Sequence, residues 1–287
     1  MSRPTSTGIR ERILDEMRRS GFPLEIEVGS KFSSQGWSVG HQGIFRDSDE
    51  RKVKYIDLTA SKLEVREFGR FGRFNISVVC ECKKSEKPWV FYTPPNNALT
   101  HDPDLLSLRY VKLVSFPSFE ARDYPVIQPT HYVSREPLNR LGQANYLSFG
   151  REDRPGEGFN QINSAINQVL KATKFQMDSF SPLLARMGPI LQPNLRALTF
   201  FYPLIVLEGP MYEYNLRSDG EPNLQEVSYV KYQASILGDV TASSEQEAGE
   251  IPQVAFLIDI VKKELLGEYI SYLEEEIRQV TSTPILS

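Results

Sequence analysis

The run Ile76-Ser77-Val78-Val79-Cys80-Glu81-Cys82-Lys83-Lys84-Ser85 joins β-branched, apolar residues to a carboxylate and an ammonium two positions apart. Such residues favour a strand. Side chains alternate between the faces of a strand, so Glu81 and Lys83 project to the same side. Charges in an otherwise buried strand are costly to fold unless they are well partnered or have work to do. An earlier segment, Val53 to Ala60, reads as a second strand, with Asp57 set among apolar residues. Two strands thus deliver Asp, Glu and Lys.

Two carboxylates suit a hard divalent cation that takes oxygen ligands, and Mg²⁺ keeps several waters when bound this way. A lysine beside such an ion can orient or help deprotonate a water and offset charge on a phosphorane. An ordinary cross-strand ion pair, with Asp57 capping a turn, is the other reading of the same residues. The pattern of Asp on one strand and Glu-x-Lys on the next, here Asp57, Glu81 and Lys83, resembles the PD-(D/E)xK nuclease superfamily. This is the restriction-endonuclease-like fold, which includes Holliday-junction resolvases and many repair nucleases. The resemblance implies a Mg²⁺- or Mn²⁺-dependent deoxyribonuclease. In it Asp57, Glu81 and the backbone carbonyl of Cys82 hold the ion, and Lys83 serves the attacking water. Ile56 stands where the superfamily's name has a proline.

Pro23 to Trp37 opens on a proline suited to a first helical turn and ends near Gly36, suited to a C-terminal cap. It predicts a short helix leading into a strand from Trp37 to Phe45. The resemblance implies a further acid on this helix, and Glu25 and Glu27 are the candidates. Val28 and Phe32 lie three and seven residues after Glu25 and place it on the inward face, whereas Glu27 pairs with Lys31 on the wet face. Glu25 is therefore preferred as a fourth site residue and metal ligand, direct or through water. Both acids being simply solvated is the alternative.

The chain of 287 residues is 40% hydrophobic and 11% aromatic, enough for a substantial core. No long apolar window and no apolar signal core at the N-terminus is visible, so a soluble, cytoplasmic protein without membrane contact is expected. Cys80 and Cys82 share a strand face opposite the site and read as buried thiols of a reducing compartment. His41, His101 and His131 show no zinc spacing. The formal net charge of −4 gives no global attraction to a polyanion. Basic residues nevertheless gather around the candidate strand: Arg66, Arg70 and Arg73 before it, Lys83, Lys84 and Lys87 following it. These could track phosphates or form a solvated basic hairpin.

A helix through Ile9, Ile13, Leu14 and Met17 is expected at the start. Residues 93–158 are rich in proline and turn signals, with short pieces at Ser107 to Phe116 and Tyr124 to Ile127. They read as an insertion packed beside the core, within one domain spanning 1–287. Phe159 to Phe175 is amphipathic, with Ile162, Ile166, Val169 and Leu170 as its stripe. The resemblance implies that this helix presents a glutamine or lysine to the site, Gln161 first and Gln168 second; a solvated polar face is the other reading. Leu198 to Gly209 predicts a buried strand, with Met211 to Leu216 as its hairpin partner. Strands at Val227 to Leu237 and Val254 to Ile260 flank an acidic linker at 242–250, and a helix closes the chain. The expected architecture is α/β: a restriction-endonuclease-like core with a central mixed sheet flanked by helices and a proline-rich insertion.

Two functions compete on this pattern. One is a metal-dependent nuclease that hydrolyses DNA phosphodiester bonds, with a homodimer or a protein partner left open. The other is a non-catalytic nucleic-acid or protein-interaction module on the same fold. Retention of Asp57, Glu81 and Lys83 together favours the enzyme.

Overall fold

The computed structural model describes residues 6–47, 50–64, 73–92, 110–115, 122–123, 141–142, 157–191, 196–217, 219–237 and 253–282. Two helices, α1 (Ser6–Arg19) and α2 (Phe22–Ser34), precede three antiparallel strands: β1 (Ser38–Arg46), β2 (Val53–Glu64) and β3 (Arg73–Lys84). Short strands follow at β4 (Trp89–Tyr92), β5 (Tyr110–Ser115), β6 (Arg122–Asp123) and β7 (Leu141–Gly142), then the long helix α3 (Glu157–Leu191). The second half supplies β8 (Arg196–Glu208), β9 (Met211–Leu216), β10 (Pro222–Glu226), β11 (Tyr229–Leu237), β12 (Gln253–Lys262), a 3-10 turn (Lys263–Leu265) and α4 (Leu266–Ser282). Among the described residues, one mixed sheet runs β1-β2-β3-β8-β12-β11-β7, with β5 and β6 joined to it along β8.

Helices cover both faces of this sheet. Leu24, Val28 and Phe32 of α2 and Leu266, Tyr269, Ile270 and Leu273 of α4 pack on one face with Leu58, Val78, Cys80 and Cys82. Ile162, Ala165, Ile166, Val169 and Leu170 of α3 pack on the other with Phe45, Ile56, Val79 and Ile205. Each strand between two helical layers must therefore be apolar on both faces. This explains the unbroken runs Val78-Val79-Cys80 and Leu204-Ile205-Val206-Leu207, all essentially without solvent exposure. Pro203 interrupts β8 where its second neighbour changes, from β5, last paired at Phe201, to β12, first paired at Leu204. There the missing N–H costs the sheet least.

The helix ahead of the sheet follows the expected signals. Pro23 sits in the first turn of α2, and Gly36 closes it at φ +80°, a conformation that favours glycine. Gly29 lets α2 lie directly on the sheet, since a Cβ there would come within 2.6 Å of the His41 ring. α3 is fixed by a buried charge: the fully buried Asp47 carboxylate receives Lys171 at 3.0 and 3.1 Å, Lys54 at 2.8 Å and the Glu50 N–H at 3.1 Å. A buried carboxylate is tolerable only when so fully partnered.

One expected pairing does not occur. Met211 to Leu216 is a strand, but it leaves β8 and pairs with β10 and β4 in a separate three-stranded sheet. Both edges of β8 are already taken by β3 on one side and by β5 and β12 on the other. The Pro210 carbonyl accepts the Trp89 N–H at 2.9 Å instead and starts the β4–β9 contact. Part of the proline-rich insertion joins the main sheet, because β5 pairs antiparallel with β8. The segments Tyr124 to Ile127 and 242–250 lie outside the described residues. Among the described residues, no helix is long and apolar enough to cross a membrane.

Candidate active site

β2 and β3 pair from Glu64↔Phe74 as far as Leu58↔Cys80, and there the ladder stops. The cause lies in β2. Leu58 belongs to the core under α2, whereas Ile56, formally on the same strand face, belongs to the core under α3. The strand therefore changes face at Asp57. Opposite it on β1, Gln42 takes φ +52° and drops out of the β1–β2 register between His41↔Leu58 and Gly43↔Ile56. A non-glycine residue in that region is a strained conformation that surrounding structure must hold in place.

The side chain of Asp57 bridges the fork. Its Oδ2 accepts the backbone N–H of Cys82 at 2.7 Å, so a carboxylate replaces the lost strand neighbour. In an antiparallel pairing a strand residue points its N–H and C=O to the same side, so the Cys82 carbonyl faces the fork as well. Gln168 of α3 supports the other lip, donating from Nε2 to the Tyr55 carbonyl at 2.8 Å.

Glu81 and Lys83 enter from β3. The Glu81 side chain is 1% exposed, its Oε1 lies 2.5 Å from the Lys83 ammonium, and its Oε2 is buried with no hydrogen-bond partner. Glu25 comes from the first turn of α2, half-buried because Leu24, Val28 and Phe32 turn that side of the helix inward. The four groups act on one another. Burial, then the Asp57 charge, push the Glu81 carboxyl up to about 7 from its ordinary 4.5, with Lys83 opposing and Glu25 adding to the rise. Burial also raises Asp57, partly offset by the Cys82 N–H and Lys83. Glu25 is raised by burial and by Asp57, against Lys83. Asp57 thus raises both Glu25 and Glu81, Glu25 adds to the rise of Glu81, and Lys83 opposes all three, in a compact electronegative cleft. Among the described residues, no three or more His, Cys, Asp or Glu side chains form a group that could hold a metal ion. Glu25, Asp57 and Glu81 therefore do not converge as three direct ligands.

The remaining expected residues scatter. Glu27 is exposed and meets Lys263 at 3.7 Å, a partner from the turn after β12 in place of the expected Lys31. Lys84 is exposed and lies 3.4 Å from Glu208; Lys87 is exposed on the turn after β3. Gln161 is exposed on α3 and touches no part of the cluster among the described residues, whereas Gln168, the second choice, reaches the fork. Arg66 and Arg70 lie outside the described residues, as does the side chain of Arg73, whose backbone opens β3. Cys80 and Cys82 are free, buried thiols on the α2 face, and burial holds Cys80 well above the ordinary thiol range.

The fold adds residues that sequence reasoning passed over. Lys263 lies 3.4 Å from Glu208, whose backbone pairs with Lys84, so a second cationic step sits beside the Glu81–Lys83 pair. Its signal was present: like Lys83 and Lys84, Lys262 and Lys263 end an apolar strand, and β3, β8 and β12 run parallel and finish together. The carboxyl ends of parallel strands are where open α/β sheets place their ligands. Comparison with protein-family models, with curated proteins and with solved structures finds no match to this chain.

Proposed function

We propose that the fork between β2 and β3 is the active site of a divalent-metal-dependent nuclease that hydrolyses DNA phosphodiester bonds, on a restriction-endonuclease-like core. The observation that carries this reading is the buried, unpartnered Glu81 Oε2 beside Asp57 and Lys83. A folded chain retains a buried carboxylate oxygen without a hydrogen bond only at a cost, and such sites concentrate where chemistry is done.

The donor set fits a Mg²⁺ or Mn²⁺ ion, because the groups at the fork that could ligate a cation are all oxygens: Asp57, Glu81 and the Cys82 carbonyl. What such an ion supplies when bound is a more acidic water and neutralisation of phosphate charge. Glu25, which is not a direct third ligand, acts through water. Asp57 keeps one oxygen on the Cys82 N–H and so stays oriented. Glu81 positions the Lys83 ammonium, which donates to the attacking water and to the oxygen that gains charge as the phosphorus is attacked. Lys84 and Lys263 line the approach for phosphates. The absence of a three-side-chain metal group among the described residues favours the second reading, a non-catalytic nucleic-acid-binding module.

Cleavage of supercoiled plasmid with Mg²⁺, Mn²⁺ or EDTA separates the two. Wild-type protein is expected to nick or linearise the plasmid with either metal and not in EDTA. Asp57→Asn keeps an acceptor for the Cys82 N–H but removes the charge, and is expected to abolish both cleavage and calorimetric metal uptake. If wild-type protein binds duplex, branched and single-stranded DNA, cuts none of them with either metal, and takes up no metal, the module reading replaces the nuclease.

The two helix acids give a further test. Glu25→Gln is expected to lower metal affinity or turnover by about ten- to a hundredfold, the usual cost of losing a group that orients a metal's surroundings. Glu27→Gln, on the exposed side of α2, should leave both unchanged. Equal losses at the two positions would mean that Glu25 has no special access to the fork.

A further inference from the structure

The hairpin that carries Asp57 presents an exposed apolar surface on its face away from α3. Ile44 pairs in register with Tyr55, and Arg46 with Val53. Their neighbours Phe45 and Ile56 are buried under α3, so Ile44, Val53 and Tyr55 face away from it, exposed at 63%, 62% and 56%. Contiguous exposed apolar side chains on a folded surface usually mark a binding site. Tyr55 precedes Asp57 by two residues, about 7 Å along an extended strand.

The surroundings of this patch define its occupant. Arg46, Arg51 and Lys52 rim it and are exposed; Lys52 lies 3.5 Å from the exposed Glu50, whereas among the described residues neither Arg46 nor Arg51 is held in an ion pair. If two copies of the chain met patch to patch, these cations would face their own counterparts, which disfavours self-association. A polyanion suits the rim. The middle of the patch, among the described residues, is one aromatic ring beside two aliphatic side chains. Such a surface accepts the flat face of a base with little regard to its identity.

Resting on the nuclease reading above, we infer that Tyr55, with Ile44 and Val53, is a stacking platform for an unpaired base of the substrate strand, with Arg46 and Arg51 on the flanking phosphates. Bases inside a duplex are stacked on each other and cannot reach a side-chain ring. The favoured substrates are therefore single-stranded, frayed or branched DNA, in which a base one step from the scissile phosphate is free. The hydrogen bond from Gln168 to the Tyr55 carbonyl holds the platform in register with the carboxylates.

The test uses the full chain in EDTA, so that nothing is cut, with fluorescein-labelled oligothymidylate and a blunt duplex of equal length as probes in anisotropy titrations. Tyr55→Ala is expected to weaken oligothymidylate binding about five- to a hundredfold. Tyr55→Phe restores it, and neither change alters duplex binding. Arg46→Gln should flatten the salt dependence of oligothymidylate binding. Unchanged binding by Tyr55→Ala, or an equal loss in Tyr55→Phe, overturns the platform. So does a wild-type dimer in sedimentation that Tyr55→Ala dissociates. Because Tyr55 is exposed, a folding defect is not expected, and Ile44→Ala supplies a second variant on the same surface. The plasmid assay separates the two proposals: metal-dependent cleavage with Tyr55-independent binding removes only the platform, while Tyr55-dependent binding without cleavage removes only the nuclease.

Discussion

Replacing Lys83 by alanine is expected to lower the cleavage rate about a hundredfold or more while leaving DNA affinity close to that of the wild type. In the proposed nuclease the ammonium meets charge that develops mainly in the transition state, and removing one such group typically has an effect of this size. The variant also strips Glu81 of its ion pair at 2.5 Å, and an unpaired buried carboxyl takes up a proton more readily. A pH profile separates the two causes. If activity is lost only because Glu81 has become protonated, raising the pH progressively restores it, from a midpoint above the wild-type carboxyl's value of about 7, because Lys83 no longer holds that value down. If Lys83 itself serves the reaction, the loss persists at high pH. Recovery at high pH, or a parallel collapse of DNA binding, would remove Lys83 from the mechanism.

Glu81→Gln is expected to make the metal-free protein more stable at alkaline pH. In the folded chain the Glu81 carboxyl sits near 7, against an ordinary 4.5, with burial as the first cause. Below pH 4.5 the folded and unfolded forms are both protonated and the group contributes no pH dependence. Between 4.5 and about 7 the folded form holds a proton that the unfolded form has lost, so stability falls as the pH rises. Above that range the full cost remains, about 3 kcal/mol at about 1.4 kcal/mol per pH unit. Glutamine does not ionise, so its advantage over glutamate should grow by about this amount between pH 4.5 and 8. Urea unfolding of both proteins in EDTA at the two pH values measures it. Parallel pH profiles would show that Glu81 is not held as a strained acid. Asp57 and Glu25 are raised in the same direction, so the wild type should soften further with pH than Glu81 alone predicts. This is the expected trade of stability for a working site.

Much of the architecture could be read residue by residue because its causes are local. The apolar, β-branched run around Val78 and Cys80 predicted β3, and the alternation of a strand set Glu81 and Lys83 on one side. Pro23 and Gly36 bounded α2, and the spacing of Val28 and Phe32 turned Glu25 inward while leaving Glu27 wet. Ile162, Ile166, Val169 and Leu170 marked the buried stripe of α3. These patterns repeat over two or 3.6 residues, and a sequence carries that information in place.

The partners of each element depend on distant residues, and only the folded chain decided them. Met211 to Leu216 could not pair with β8 because segments far away in sequence had taken both of its edges. Gln168 rather than Gln161 reached the fork because the Asp47–Lys171 contact fixed how α3 lies across the hairpin. Lys263 came beside Glu208 through the parallel run of β8 and β12. The fork itself, where Asp57 takes the Cys82 N–H and Glu81 is left with an unpartnered oxygen, arises as β2 changes face between two helical layers. The sequence by itself determined which side chains the candidate site draws on. Tertiary packing decided how deeply each is buried and what it meets, because desolvation and charge–charge energies depend on every group nearby, however far apart in the chain.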